Sequence, residues 1–360
     1  MIVTPRILEG FGLDYGAYRI EKHGSGLINN TFRLHHKSGT GIDGKDYILQ
    51  RINTHVFRDP HVIVQNHRKA ADYLRQKHPE YFFLAPVAAG NGKYLFEWKG
   101  DYWRMLPYVA HSFSVNEADN PKQAYEAARQ FGRLAHNLSG IDLSNFLPSI
   151  PNFHNLTLRY SDFQSAVNDA GEERMERAAE LIDAFERHSQ IPITYEELKT
   201  DQDFPDRLMH HDTKINNVLL DDKTNEGVCV IDLDTLMPGK LISDLGDMVR
   251  TYVSHASEEE TDFSRITIRD DYYEALMNGY LPELGDALTH TEKEMLFYAG
   301  QFMIYMQGIR FLTDYLNGDV YYPVRYPMHN FNRSKNQLIL LERLNEKEKA
   351  LRKIIDKYLP

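Results

Sequence analysis

Cysteine is nearly absent: Cys229 stands alone among 360 residues, so no internal disulfide can form. Its apolar neighbours read as those of a small buried strand residue. No apolar leader follows Met1-Ile2-Val3, and with a single thiol this reads as a cytoplasmic chain. Long hydrophobic runs are missing too. The most apolar stretch, Met295 to Ile309, includes Gln301 and Gln307 and falls short of the roughly 20 residues that a membrane span needs. It reads as a buried helix. Positive charge is in deficit, with 41 Lys plus Arg against 52 Asp plus Glu and a net charge of −11, which argues against a nucleic-acid or anionic-membrane partner. Nothing points to an obligate protein partner. There are 16 histidines but no H-E-x-x-H or cysteine-based spacing, so a structural zinc site is not expected. Fixed-period repeats and low-complexity tracts are also lacking.

What is present is ordinary globular composition, 42% apolar and 26% charged, in a chain long enough for two lobes. The halves differ. From Tyr18 to Trp103 come short β-rich runs, Tyr18 to Glu21, Thr31 to Leu34, Tyr47 to Ile52, Lys93 to Glu97 and Tyr102 to Leu106. One helix, His61 to Lys77, interrupts them after Asp59-Pro60. Beyond Pro107 the pattern turns helical, with helices predicted at 121–138, 160–170, 172–188, 270–280, 291–316 and 333–357. A β-hairpin is embedded there, Asn217 to Leu220 returning as Val228 to Asp232. The expected fold class is therefore α+β and bilobal: residues 1–106 form a small antiparallel sheet with one helix, and residues 107–360 a larger, mainly helical lobe. A cleft between unlike lobes suits a small molecule.

The chemistry concentrates in His210-His211-Asp212-Thr213-Lys214-Ile215-Asn216-Asn217. Its H-x-D-x-x-x-x-N spacing is that of a phosphoryl-transfer catalytic loop, which needs a carboxylate to take the proton of an attacking hydroxyl and a neutral oxygen ligand for Mg²⁺ nearby. Asp212 and Asn217 fill those positions. After the hairpin, Ile231-Asp232-Leu233-Asp234 ends a strand so as to deliver Asp232 to the same metal, as a D-F-G aspartate does. Lys214 is placed to neutralise charge on the transferring group, or else is a solvated loop lysine. Few residues separate Asp232 from Asp244, too few for a segment that docks a peptide, so a small acceptor is favoured.

This loop, the I-D-x-D strand and Ser243-Asp244-Leu245-Gly246-Asp247 resemble the aminoglycoside phosphotransferase family, small-molecule kinases of protein-kinase-like fold. Within it, Tyr47 to Asn53, Ile150 to His154 and Gly308 to Tyr315 are most similar to the sugar 1-kinases acting on N-acetylhexosamines. The resemblance implies ATP and Mg²⁺ as cofactors and the anomeric hydroxyl of an N-acetylhexosamine as acceptor. It implies an adenine hinge over Leu106 to Val109, with Leu106 and Tyr108, and a phosphate-covering loop at Gly24, Ser25 and Gly26. Arg310 and Tyr321 would hold the sugar hydroxyls or acetamido group, and Asp244 would brace the catalytic loop. Asn30, with Asn29 and Thr31, is a further candidate for sugar contact. The bland alternatives are a plain hairpin turn at Gly24, an Arg310 ion-paired with Asp244 or Asp247, and core packing for the tyrosine-rich loop.

One departure stands out. Kinases of this fold carry lysine on the third strand and pair it with glutamate on the next helix. Here the positions read Gln50 and Gln65, an amide pair that could still reach a phosphate oxygen, with Arg51 on the opposite strand face. The competing readings are a same-fold kinase for another small alcohol or amino sugar and a nucleotide-binding pseudokinase.

Overall fold

The computed structural model describes residues 3–24, 28–39 and 45–359. A short helix α1 (Pro5–Gly10) leads into a five-stranded sheet of β1 (Tyr18–Lys22), β2 (Asn30–His36), β3 (Tyr47–Arg51), β4 (Phe96–Trp98) and β5 (Asp101–Pro107). Its order is β1-β2-β3-β5-β4, and every pairing is antiparallel. Alternation puts Leu34, Leu49, Trp103 and Met105 into a small core with Ile7, Leu8 and Phe11. Helix α2 (Pro60–Lys77) starts as expected: the Asp59 carboxylate accepts from His61 N–H at 3.0 Å, and proline fills the first helical position, where no N–H is needed.

The second lobe begins with β6 (Ser112–Phe113) and α3 (Pro121–Asn137), followed by α4 (Leu156–Asp169), α5 (Glu172–Glu186) and α6 (Gln190–Thr200). Strands β7 (Arg207–Met209), β8 (Val218–Asp221), β9 (Gly227–Val230) and β10 (Met237–Gly239) carry the hairpin and the segments on either side of it. Then come α7 (Ile242–Tyr252), α8 (Asp270–Leu284), α9 (His290–Glu294), α10 (Leu296–Leu316), α11 (His329–Glu346) and α12 (Glu348–Tyr358). The large core is built around α10, buried on nearly every side, which accounts for its all-round apolar sequence. Helices α3 and α8 cross closely because Gly132 and Gly279 face the opposing backbone; a Cβ on Gly132 would come within 2.8 Å of the Tyr280 carbonyl oxygen. Among the described residues no helix is long and apolar enough to cross a membrane.

The α+β arrangement of antiparallel sheet and helical lobe matches the expectation, with local corrections. The strand expected over Lys93 to Glu97 is the shorter Phe96–Trp98. The expected 291–316 helix breaks at Met295, and that over 333–357 starts at His329 and breaks at Lys347. Helices α1, α6 and α7 were not anticipated; α6 carries Pro192 in its first turn, where proline is tolerated but weakens a helical pattern.

Candidate active site

Two buried aspartates on α7 shape the catalytic loop. Asp244, in the first turn of α7, accepts from His210 N–H at 3.0 Å and His211 N–H at 2.7 Å, and Asp247 accepts from Thr213 N–H at 2.9 Å. A carboxylate there also faces the positive end of the helix dipole. The alternative of an ion pair from Arg310 to either aspartate is not what forms: Asp247 pairs with Arg250 at 3.0 Å, and Arg310 donates to Gln307 Oε1 at 3.0 Å. His211 adopts φ of 65°, stored strain of the sort found where a loop must aim a side chain. Gly239 on β10 makes room for it, since a Cβ there would overlap the His211 ring. His210 Nε2 donates to the Ile231 carbonyl at 3.0 Å while its Nδ1 accepts from Asp212 N–H at 3.2 Å, which fixes a neutral tautomer.

So braced, the loop brings together Asp212, Lys214, Asn217 and Asp232. Lys214 Nζ lies 2.8 Å from Asp212 Oδ1, and Asn217 Nδ2 donates to Asp212 Oδ2 at 3.2 Å and to its carbonyl at 2.8 Å. Ile231 N–H donates to the Asn217 carbonyl at 2.9 Å, setting Asp232 beside Asn217. Burial disfavours the Asp212 carboxylate, yet the Lys214 ammonium and the Asn217 amide together hold its pKa below the ordinary value. Asp232 is different. It is an exposed residue at φ 57° with no hydrogen-bond or ion-pair partner among the described residues; partial withdrawal from solvent by the surrounding protein, then Asp234 and Asp212, pushes its pKa up to about 7. Asn217 Oδ1 likewise accepts no hydrogen bond among the described residues. One carboxylate and one amide oxygen are thus free side by side, and no group of three or more His, Cys, Asp or Glu there forms a metal cage. Such a donor set suits a hard cation completed by phosphate oxygens and water.

The sheet closes over this point through Arg104, which the sequence reading missed. Arg104 on β5, 1% exposed, pairs with Asp234 Oδ1, and Asn29 Nδ2 donates to Asp234 Oδ2 at 2.7 Å. Gln50 on β3 accepts from Arg104 Nε at 2.9 Å and donates to Thr31 Oγ1 at 3.0 Å. The expected Gln50–Gln65 pair does not form. Gln65 is exposed, and its neighbour Asn66 faces inward, donating to the carbonyls of Leu147 at 2.7 Å and Leu236 at 3.0 Å. One residue along a helix turns a side chain by about 100°, which is enough to exchange buried for exposed. Arg51 points to the other face, as alternation requires, and pairs with Asp101 at 2.9 Å.

The remaining candidates are spread more widely. Gly24 adopts φ of 72°; Ser25, Gly26 and Leu27 lie outside the described residues. Leu106 is buried at the end of β5, and Tyr108 beyond it lies under the Arg33 guanidinium at 3.5 Å. Asn30 opens β2 opposite Arg51, with no hydrogen bond from its side chain to the helical lobe among the described residues. Arg310 and Tyr321 line a cavity of 370 Å³ with Arg159 and Tyr322. None of Asp212, Lys214, Asn217 or Asp232 lines it. Lys214 instead borders a second cavity of 230 Å³, with Arg250, Ser254 and Glu258. Arg333 touches the lining of both: it binds Glu258 at 2.7 Å and lies 5.8 Å from the Tyr322 ring. Tyr322 packs on Phe311 at 4.8 Å, whereas Tyr321 is 72% exposed.

A loop carboxylate clasped by an ammonium, facing a free carboxylate and amide oxygen under a roof of sheet, is an arrangement for moving a phosphoryl group. Residues 19–288 match the model of the phosphotransferase enzyme family. The chain belongs to that family. This phosphotransferase resembles, at 13% identity and a TM-score of 0.61, an aminoglycoside phosphotransferase from Alicyclobacillus acidocaldarius, over 99% of this chain and 98% of that one. It matches a microcompartment-associated aminopropanol kinase equally well, at 13% identity and a TM-score of 0.61 over 96% and 97% of the two chains. A spectinomycin phosphotransferase solved with ADP and spectinomycin follows at 13% identity and a TM-score of 0.57, over 97% and 99%. At these identities the likeness establishes the kinase-like fold. The protein is an ATP-dependent phosphotransferase that acts on a hydroxyl of a small molecule.

Proposed function

We propose that this phosphotransferase moves the γ-phosphoryl group of ATP to the anomeric hydroxyl of an N-acetylhexosamine. The observation that carries the reading is the Asp212 carboxylate, held ionised by Lys214 and Asn217 and set opposite the unpartnered Asp232. Asp212 orients the sugar O1 and takes its proton as the O1–phosphorus bond forms; the bond from the γ-phosphorus to its bridging oxygen breaks, and ADP leaves with the electron pair. An anomeric hydroxyl is more acidic than a simple alcohol, so a carboxylate of lowered pKa serves. Lys214 offsets charge on the transferring group. Asn217 and Asp232 would hold a magnesium ion, which supplies charge neutralisation for the nucleotide phosphates. The hinge at Leu106 and Tyr108 is assigned to adenine and the loop opened by Gly24 to the phosphates.

The acceptor side favours a neutral sugar. Aminopropanol and the aminoglycosides carry basic nitrogens, and such acceptors call for acidic or aromatic surroundings. Here Arg159 and Arg310 both face the larger cavity, and Lys214 and Arg250 border the smaller one. Arg310 and Tyr321 are assigned to the hydroxyls and acetamido group, with Asn30 approaching from the sheet.

An ADP-release assay over N-acetylglucosamine, N-acetylgalactosamine, other hexoses, amino alcohols and aminoglycosides tests this. Turnover is expected with an N-acetylhexosamine, with phosphorus–proton correlation placing the phosphate on O1. Turnover confined to amino alcohols or aminoglycosides, or phosphate on another hydroxyl, would refute the assignment.

The raised Asp232 pKa adds a second expectation. In the metal-free protein its carboxyl is largely protonated below pH 7, and a cation binds only the ionised form. Calorimetry of ADP with Mg²⁺ should therefore show release of about one proton near pH 6 and almost none at pH 8, with affinity falling as pH drops. The ADP phosphate titrates in the same range, so the proton owed to Asp232 is the part of the Mg²⁺-dependent release that Asp232→Asn abolishes. Because the folded-state pKa lies above that of a free aspartate, this group makes the metal-free fold less stable as pH rises from about 4 to 7. Proton release independent of pH would remove Asp232 from the metal site.

A further inference from the structure

Arg104 is the largest charge buried where the two lobes meet, 1% exposed, and Asp234 is 3% exposed. A buried guanidinium is costly without compensation, and here every contact leads toward the metal end of the cleft. Behind it, Gln50 Oε1 accepts from Nε at 2.9 Å, and the register of β3 with β5 sets these two residues directly opposite one another. Ahead of it lies Asp234 Oδ1, two residues past Asp232 in the same turn. The second Asp234 oxygen is taken by Asn29 at 2.7 Å, whose own Oδ1 accepts from Asn53 N–H at 2.9 Å. Two donors from the sheet thus converge on one carboxylate of the helical lobe. Asn29 also lies next after Ile28, where the chain returns from the glycine-containing loop.

In other kinases of this fold a lysine on the third strand brings a cation from the sheet to the phosphates. Here that strand position is Gln50, already engaged with Arg104 and Thr31. We propose that Arg104 is a positioning residue for the magnesium-nucleotide end of the site: anchored to Gln50, it holds Asp234 and thereby aims the Asp232 turn. The sheet's cation has moved from the third strand to the neighbouring one, and it acts on the metal-bearing turn through Asp234. Asn29 binds the same carboxylate and so shares in holding it.

This inference rests on the assignment of Asp232 and Asn217 to magnesium, but its ADP-binding readout needs no acceptor, so it fails separately from the sugar assignment. In the full-length protein, ADP binding would be measured by calorimetry with Mg²⁺ and with EDTA, alongside kcat and the KM values for ATP and acceptor. Arg104→Met and Asn29→Ala are each expected to weaken Mg²⁺-dependent ADP binding and raise the KM for ATP by about tenfold or more, as loss of a partner behind a metal ligand does. Binding in EDTA and the acceptor KM should change less than about twofold, and Arg104→Lys should recover part of the loss. Gln50→Lys, which restores the lysine usual at that position, should also raise the KM for ATP, because its ammonium would face the Arg104 guanidinium. Arg104→Met leaves Asp234 without its cation and can fail to fold; Asn29→Ala and Gln50→Lys then decide. Equal losses with Mg²⁺ and with EDTA would reduce Arg104 and Asn29 to structural glue. A Gln50→Lys variant with a lowered KM for ATP would overturn the proposal outright.

Discussion

Replacing Asp212 by asparagine is expected to lower kcat by about 10²–10⁴-fold, the range supplied by a positioned general base, while ADP still binds within about twofold of the parent. The amide keeps the volume of the side chain and an oxygen to face Lys214 or Asn217, whose contacts at 2.8 and 3.2 Å define the present orientation. It cannot take a proton from the acceptor. Asp212→Ala would be less informative, since it also frees the Lys214 ammonium and alters the charge next to Asp232. The comparison is best made at a single turnover, with enzyme in excess of sugar and ADP affinity measured in parallel. An asparagine variant with near-parental kcat would mean that Asp212 is not the base. Loss of ADP binding together with kcat would mean instead that it supports the nucleotide.

The residues whose proximity could be read from sequence are those whose spacing along the chain is itself chemical. Asp212, Asn217 and Asp232 lie on one loop and the hairpin beside it, so short-range order fixes their proximity, and the hydrogen bond from Ile231 N–H to the Asn217 carbonyl realises it. The change from antiparallel sheet to helices was legible because period-two runs give way to period-3.6 runs. Contacts that join distant segments were not. Arg104 reads as the exposed member of an alternating strand, and nothing in Trp103-Arg104-Met105 announces a guanidinium buried at the lobe junction. The one available signal was the second aspartate of Ile231-Asp232-Leu233-Asp234, which at 3% exposure requires a partner from elsewhere. Gln65 was misplaced for a related reason: sequence puts a polar residue near the middle of α2 but does not say which of Gln65 and Asn66 faces in. The cavity holding Arg310 and Tyr321 was beyond reach, because it depends on how α4, α10 and the loop after α10 pack together.

The second large effect belongs to Asp244, which touches no reacting group. Asp244→Ala removes both acceptors of the His210 and His211 amides, at 3.0 and 2.7 Å, in a buried place. A buried amide left without an acceptor costs about 1–3 kcal/mol, so the pair should lower stability by roughly 2–6 kcal/mol, a large part of the ~5–15 kcal/mol typical of a folded protein. The urea midpoint should fall accordingly, with little change in slope. Activity should suffer beyond the folded fraction. His211 holds φ of 65° under this constraint, and Asp212 follows it directly, so relaxation of the strained backbone moves the carboxylate. A displacement of about 1 Å is enough for a loss near 10²-fold in kcat. Measured well below the unfolding midpoint and corrected for folded protein, kcat should still drop by that order while ADP affinity without Mg²⁺ is kept. A variant that loses stability but keeps kcat would show that the loop holds its catalytic shape without the Asp244 carboxylate, through contacts such as Thr213 N–H on Asp247 at 2.9 Å and Thr235 Oγ1 on the His210 carbonyl at 2.6 Å.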